Sequence, residues 1–250
     1  MNAGKAHAEY DCVAEIRLAE QYAGLPDQLL HAISLTESGR TDPITDRYVA
    51  WPYTVTVEGD GQYYSNLNDA INAVNAALRN GIKNIDVGCM QINYGYHGAA
   101  FNTLDLMFDP THNIAYAASF LRQLYRRHGR WSDAIAYYHS SDPVRAQDYQ
   151  HKVMMEWAKF RVDASAQAKA ASDSAAKAAI EAQKISLETS GSAGISGQLA
   201  DNQSLTRTET QAIKPLDATP AHQNSYVAQQ LVEMRARNAA PRPAKNKENQ

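Results

Sequence analysis

Leu29-Leu30-His31-Ala32-Ile33-Ser34-Leu35-Thr36-Glu37-Ser38-Gly39 reads as a helix that carries a carboxylate on its apolar side. Leu29, Leu30 and Ile33 make one stripe, and Glu37 follows Ile33 by four residues. At about 100° per residue, Glu37 falls between Ile33 and Leu30, inside the stripe instead of opposite it. A glutamate so placed is either paired or has a raised pKa, because burial penalises the charged form. A carboxyl that keeps its proton near neutral pH can act as a general acid. The alternative is a frayed last turn, with Gly39 as C-cap and Glu37 leaning into solvent. Two further stretches carry polar groups of chemical interest. Ile85-Asp86-Val87-Gly88-Cys89-Met90-Gln91-Ile92-Asn93 is irregular, with a glycine suited to a close backbone approach or a positive φ. Ala136-Tyr137-Tyr138-His139 lies on a short helix.

The elements that must position these residues follow from periodicity and punctuation. Asp11 to Tyr22 reads as a helix with Val13, Ile16, Ala19 and Tyr22 on one face; Gly24 ends it, and Pro26 opens the first turn of the Glu37 helix. Trp51 to Val57 is β-rich, Glu58-Gly59-Asp60-Gly61 is turn chemistry, and Gln62-Tyr63-Tyr64 returns, which is a hairpin signal. Asn66 to Asn80 reads as a helix with Ile71, Val74 and Leu78 on one face. A helix runs from Asp109-Pro110 to about His128, where Gly129 stops it; Trp131-Ser132-Asp133 caps the next one. Asp142-Pro143 starts a long helix through Tyr149, Val153, Met154 and Trp157. Beyond about residue 162 the composition turns to Ala, Ser, Lys and Gln, which favours helix but offers little to bury. The tail from 189 to 250 is Gly, Ser, Gln, Asn, Pro and charge, a disordered composition, with one island of helical spacing at Tyr226 to Met234. The expected organisation is a remnant over 1–9, a folded domain over 10–162, an Ala-rich extension over 163–188 and the tail.

Composition narrows the classes. The 250 residues suffice for one sizeable domain with extra material, and a net charge of −3 gives no basic field for nucleic acid. No apolar run approaches the ~20 residues of a membrane span. Tyrosine is abundant and phenylalanine scarce (14 against 4), which suits a wet, sugar-binding cleft or an ordinary half-exposed core. Ala6-His7-Ala8 has the form of an export cleavage site without a preceding apolar stretch. Cys12 and Cys89 permit one disulfide or two buried free thiols, and neither has a neighbour at metal-ligand spacing.

Taken together and in order, Thr36-Glu37-Ser38-Gly39, Val87 to Asn93 and Ala136 to His139 resemble the soluble lytic transglycosylase family, related to goose-type lysozyme, from about Tyr10 to Trp157. The resemblance implies a mainly α, lysozyme-like fold, here with a small β-hairpin insertion. It implies that Glu37 is the single catalytic acid and base, cutting the bond between N-acetylmuramic acid and N-acetylglucosamine to leave a 1,6-anhydromuramoyl end. It places Ser38, Met90, Gln91, Asn93, Tyr137, Tyr138 and His139 along the substrate cleft. Cys89 stands where the family has leucine, and His139 where it has asparagine. Secreted relatives pair an early cysteine with one in the Asp-Pro segment, which here is Thr111, so that pairing is closed to this chain. Asp42, Asp46, Glu58, Asp60 and Asp86 are the nearby candidates for a second carboxylate; each reads as a turn or capping residue and none is assigned a catalytic role. Peptidoglycan strands are the implied partner of an exported or periplasmic monomer without cofactor or metal, with the tail available to recruit cell-envelope machinery. The competing readings are a hydrolytic muramidase and a non-catalytic glycan-binding or assembly factor.

Overall fold

A computed structural model describes residues 12–189 and Gln229, and these divide into two compact units between Ala158 and Lys159. The cleavage-like Ala6-His7-Ala8, the tail beyond Thr189 and, Gln229 apart, the Tyr226 to Met234 island lie outside the described residues.

In the first unit, α1 (Cys12–Ala23) buries Cys12, Glu15, Ile16, Ala19 and Glu20. That face is rotated from the expected one, since Val13 and Tyr22 are only half-buried. Two glutamates in the buried set hide the stripe from any count of apolar residues. α2 (Leu29–Ser38) begins three residues after Pro26, which sits instead in the preceding turn, its carbonyl bonded by the Leu29 N–H. The chain then forms β1 (Gly39–Thr41) and β2 (Tyr48–Ala50), an antiparallel pair with Arg40 opposite Val49.

A second antiparallel sheet follows from the expected hairpin. β3 (Thr54–Val57) and β4 (Asp60–Tyr63) are joined by a two-residue turn, Glu58-Gly59, in which both residues have positive φ. This geometry matches the twist of the flanking strands. β5 (Ile85–Val87) and β6 (Ile92–Asn93) extend the sheet in the order β4-β3-β5-β6. Val55, Val87 and Ile92 are buried on one face, and Thr56, Asp86 and Asn93 stand opposite one another on the other. α3 (Leu67–Arg79) lies between the hairpin and β5, capped by the Asn66 side chain on Asp69 N. It buries Ala70, Val74 and Ala77; Ile71 and Leu78, expected in its core face, are half-buried.

The remaining helices are α4 (Tyr94–His97), a 3₁₀ turn at Gly98–Ala100, α5 (Leu104–Phe108), α6 (Pro110–His128), α7 (Trp131–His139) and α8 (Pro143–Thr189). α6 is the central rod, with Ile114, Ala115, Ala117, Ala118 and Leu121 wholly buried, and it stops at Gly129 with φ 77°. The cap of α7 is Arg130, not the Trp131-Ser132-Asp133 run; the Arg130 guanidinium grips Asp133 through two bonds of 2.9 and 3.0 Å. In the second unit, every side chain described from Arg161 onward is exposed.

Asn113 on α6 ties the rod to the sheet. Wholly buried, it donates Nδ2 to the carbonyls of Val87 (3.0 Å) and Met107 (2.9 Å) and accepts the Met90 N–H at 2.9 Å. Gly88, φ 84°, has no room for a side chain, since a Cβ would stand 2.7 Å from Asn113 Nδ2. Asn113→Ala strands three buried backbone groups and should cost about 3 kcal/mol. Urea unfolding should show a lower midpoint at an unchanged slope; a loss below ~0.5 kcal/mol, the scale of a neutral surface change, would remove Asn113 from this role.

Candidate active site

α2 is buried on nearly every side, through Leu29, Leu30, Ala32, Ile33, Ser34, Leu35 and Ser38, so its last turn is held as firmly as its middle. Its first turn has no cap of its own: Gln28 sits at φ 62° and its side chain meets the His31 ring at 3.0 Å instead of capping a backbone N–H. The cap comes from α1. Glu20, 4 % exposed, accepts the N–H groups of Leu30 (2.7 Å), Gln28 (3.2 Å) and His31 (3.2 Å). Burial pushes the Glu20 carboxyl up to about 7, against the pull of those three bonds.

At the other end, Ser38 Oγ donates to the Cys89 carbonyl at 2.7 Å and accepts the Trp51 N–H at 3.2 Å. Gly39 follows in extended backbone. Its lack of a side chain is a matter of room, because a Cβ would stand 2.2 Å from Leu35 O and 2.5 Å from the Tyr48 hydroxyl. The helix end is therefore not frayed, and Glu37 is half-buried with a desolvated carboxyl. The Tyr149 hydroxyl, from α8, donates to Glu37 Oε1 at 2.5 Å. Burial pushes Glu37 up to about 8, Asp86 adds to the rise through its charge, and the Tyr149 bond opposes it. At neutral pH Glu37 thus keeps its proton. With Oε1 engaged as acceptor, Oε2 is the oxygen left to carry that proton.

Rings back this pair. Tyr138 and Tyr149 lie nearly parallel at 6.4 Å, Phe120 tilts against Tyr138 at 5.6 Å, and exposed His139 lies flat on Tyr149 at 4.6 Å. The Tyr138 hydroxyl donates to the Met90 carbonyl at 3.0 Å. Burial and the nearby Glu37 raise both Tyr138 and Tyr149 well above the usual phenol range, so both remain neutral donors.

The residues singled out in the sequence divide by role. Glu37, Tyr138 and His139 come together around Tyr149. Ser38 and Met90, both 0 % exposed, cannot line a cleft; each acts inside the protein, Met90 through its backbone. Gln91, at φ 46°, spends its amide on the framework, donating to Thr54 O and Gly88 O and accepting the Thr56 hydroxyl at 2.6 Å. Asn93 caps α4 on Tyr96 N and donates to Asp86 Oδ1 at 2.8 Å. Tyr137, 42 % exposed, stacks on His128 at 4.3 Å. Of the candidate second carboxylates, Asp86 is the one whose charge bears on Glu37, and its own carboxyl is raised by burial against the Asn93 bond. Asp42 holds its own turn through Ile44 N and the Thr45 hydroxyl. Tyr149 is hidden from a reading of the sequence: on α8 it falls four residues before Val153 in an apolar stripe, where a phenol reads as core. Its hydroxyl, needing a partner once buried, was the available signal.

Cys12 and Cys89 form a disulfide, which joins α1 to the loop beneath Glu37. Among the described residues no group of His, Cys, Asp and Glu is arranged to hold a metal, and no helix is long and apolar enough to cross a membrane. The arrangement can give a proton from Glu37 and take one back. In comparisons with known proteins, the family model described as the transglycosylase SLT domain matches residues 15–153. No curated protein and no solved structure matches.

Glu37 and Glu20 bind protons more tightly in the fold than free carboxyls, whose value is 4.5. Their contribution to stability is therefore whole below pH 4.5 and is lost as pH rises through about 7 and 8. Glu37→Gln removes the larger part of that loss. At pH 8.5 the variant should gain more than ~1 kcal/mol over the wild type, since one pKa unit is worth about 1.4 kcal/mol, and at pH 4.5 the two should nearly coincide. Thermal unfolding across this range measures the difference, and equal pH slopes would refute the raised Glu37.

Proposed function

Because the chain belongs to the transglycosylase SLT domain family, whose fold is lysozyme-like and whose members act on peptidoglycan outside the cytoplasm, we propose that it is a peptidoglycan lytic transglycosylase working through Glu37 alone. The observation that carries this reading is a carboxyl kept protonated by burial and aimed by a buried tyrosine. Glu37 Oε2 protonates the oxygen between the muramoyl C1 and the next glucosamine, and that C–O bond breaks toward the leaving sugar. Positive charge develops at C1 and its ring oxygen. The muramoyl C6 hydroxyl then attacks C1 and returns its proton to Glu37, which regenerates the acid. Atoms balance with no water consumed, and the product is a 1,6-anhydromuramoyl end. Tyr149 fixes which oxygen holds the proton, and Tyr138 ties its helix to the loop at Met90.

Asp86 favours a second reading, a hydrolytic muramidase. A carboxylate beside the acid could stabilise charge at C1 or direct a water, as in two-carboxylate glycosidases. Its raised pKa and its bond from Asn93 weaken that role, so the single-acid reading stands first. Export is supported by the Cys12–Cys89 disulfide, a bond that persists in oxidising compartments. The tail's recruitment of envelope machinery stays a proposal resting on composition.

Purified peptidoglycan digested with the protein should yield fragments one water lighter than reducing ends by mass spectrometry. Fragments with reducing ends alone would transfer the assignment to the muramidase. Glu37→Gln should lower turnover by ~10²-fold or more, the scale of general acid catalysis, with binding retained. The alkaline limb of the kcat/KM profile should lie near 8. Tyr149→Phe removes a bond that lowers the Glu37 pKa and should move that limb upward while cutting kcat. Asp86→Asn removes a charge that raises it and should move the limb downward. Shifts of the same sign in both variants would refute this assignment of the electrostatics.

A further inference from the structure

Three residues past Glu37, Arg40 on β1 lies between two aromatic rings. Its guanidinium carbon is 4.5 Å from the centre of Trp51 and 5.1 Å from that of Tyr63. Both rings are fixed: Trp51 Nε1 donates to the Tyr64 carbonyl at 2.6 Å, and the Tyr63 hydroxyl donates to the Gly39 carbonyl at 2.9 Å. The cation is thus braced by two segments at once, which lowers the entropy it would lose in gripping a ligand. One bond from Nε, at 3.4 Å to the Thr41 carbonyl, engages a single donor of the five a guanidinium offers. Among the described residues, no carboxylate lies within ion-pair distance of Arg40. It does not figure among the causes that set the Glu37 or Asp86 carboxyls either, so it is not there to tune them.

The sheet register shows which side of the molecule it serves. Tyr63 stands opposite Thr54, and Thr56 opposite Asp86, which stands opposite Asn93. Opposed residues, and residues two apart on a strand, share a face. Tyr63 therefore belongs to the polar face that carries Asp86, the face whose charge reaches Glu37. Tyr63 is 45 % exposed and Arg40 half-buried, so solvent reaches the braced guanidinium. A guanidinium on an open face, with most donors unspent and no acidic partner, is built for an anion from outside, above all a carboxylate that it can grip through two parallel bonds. The sugar backbone of peptidoglycan is neutral, and its carboxylates are carried on the peptide stems of the muramoyl residues.

We propose that Arg40, braced by Trp51 and Tyr63, is a subsite for a carboxylate of the peptide stem. The subsite lies three residues from Glu37 in the chain, against the sheet face that carries Asp86, and makes the enzyme prefer stem-bearing over charge-blocked strands. The inference rests on the reading of this cleft as one that cuts peptidoglycan.

The probe is the N-acetylglucosaminyl-N-acetylmuramoyl peptide in two forms, with its stem carboxylates free or amidated. It lacks the bond from muramoyl to glucosamine, so it reports binding without cleavage. By calorimetry, the wild type should bind the free form on the order of 10-fold more tightly than the amidated one, a preference that shrinks with added salt. Arg40→Ala should abolish the preference, with the amidated form bound as before. Arg40→Lys, which keeps the charge and loses the fork, should retain a part of it. Equal binding of the two forms by the wild type, including no binding of either, overturns the subsite, and so does an Arg40→Ala variant that keeps the preference. A protein that leaves anhydro ends on peptidoglycan yet shows no preference loses the subsite alone. One that shows the preference and cuts nothing loses the reaction and keeps the subsite.

Discussion

A carboxyl out of water at the end of a helix is the constraint on which this structure turns. Glu37 is desolvated at the C-terminal end of α2, where the aligned peptide dipoles place negative charge and oppose its ionisation further. At the opposite end, Glu20 sits where the same dipoles favour an anion and takes three backbone N–H groups, yet burial still brings it to about 7. The helix is gripped at both ends by carboxylates in low dielectric. One end serves as an anchor, and the other keeps its proton at neutral pH. A site of this kind costs stability above neutral pH, and the surrounding fold has to offset it.

The offset is concentrated in one loop. Between β5 and β6, the Gly88 to Gln91 turn sends the Cys89 carbonyl to Ser38, the Met90 carbonyl to Tyr138 and the Met90 N–H to Asn113. Three helices, α2, α7 and α6, are thereby referenced to one short segment. Gly88 at φ 84° and Gln91 at φ 46° give the turn its shape, and the Gln91 amide locks it to β3. The polar side chains around this loop, Ser38, Gln91 and Asn113, have internal duties.

Much of the fold was legible from local chemistry. Caps and stops such as Asn66, Asp109-Pro110, Gly129 and Asp142-Pro143 fall where they were read, because their effects act within one turn. The central placement of Glu37 was legible too, since four-residue spacing puts it among Leu30 and Ile33. What escaped is long-range. Glu20 as the cap of α2 comes from another helix, and with Pro26 available the start of α2 was read too early. Tyr149 lies 112 residues from its partner and hides in an apolar stripe. Ser38 and Met90 lie in the right motif but are wholly buried: spacing shows that a group is present, while burial decides whether it faces outward or the framework.

The disulfide gains meaning from the same chain of contacts. Cys12 opens α1, whose Glu20 caps α2, and α2 ends at Ser38, whose hydroxyl rests on the carbonyl of Cys89. Following the contacts from Cys12 returns to Cys89, so the covalent bond closes a ring that already includes Glu20 and the residue next to Glu37. Cross-linking positions 77 apart removes conformational freedom from the unfolded chain, worth roughly 2–4 kcal/mol in comparable proteins. The bond thus ties the helix that caps α2 to the loop on which the end of α2 rests.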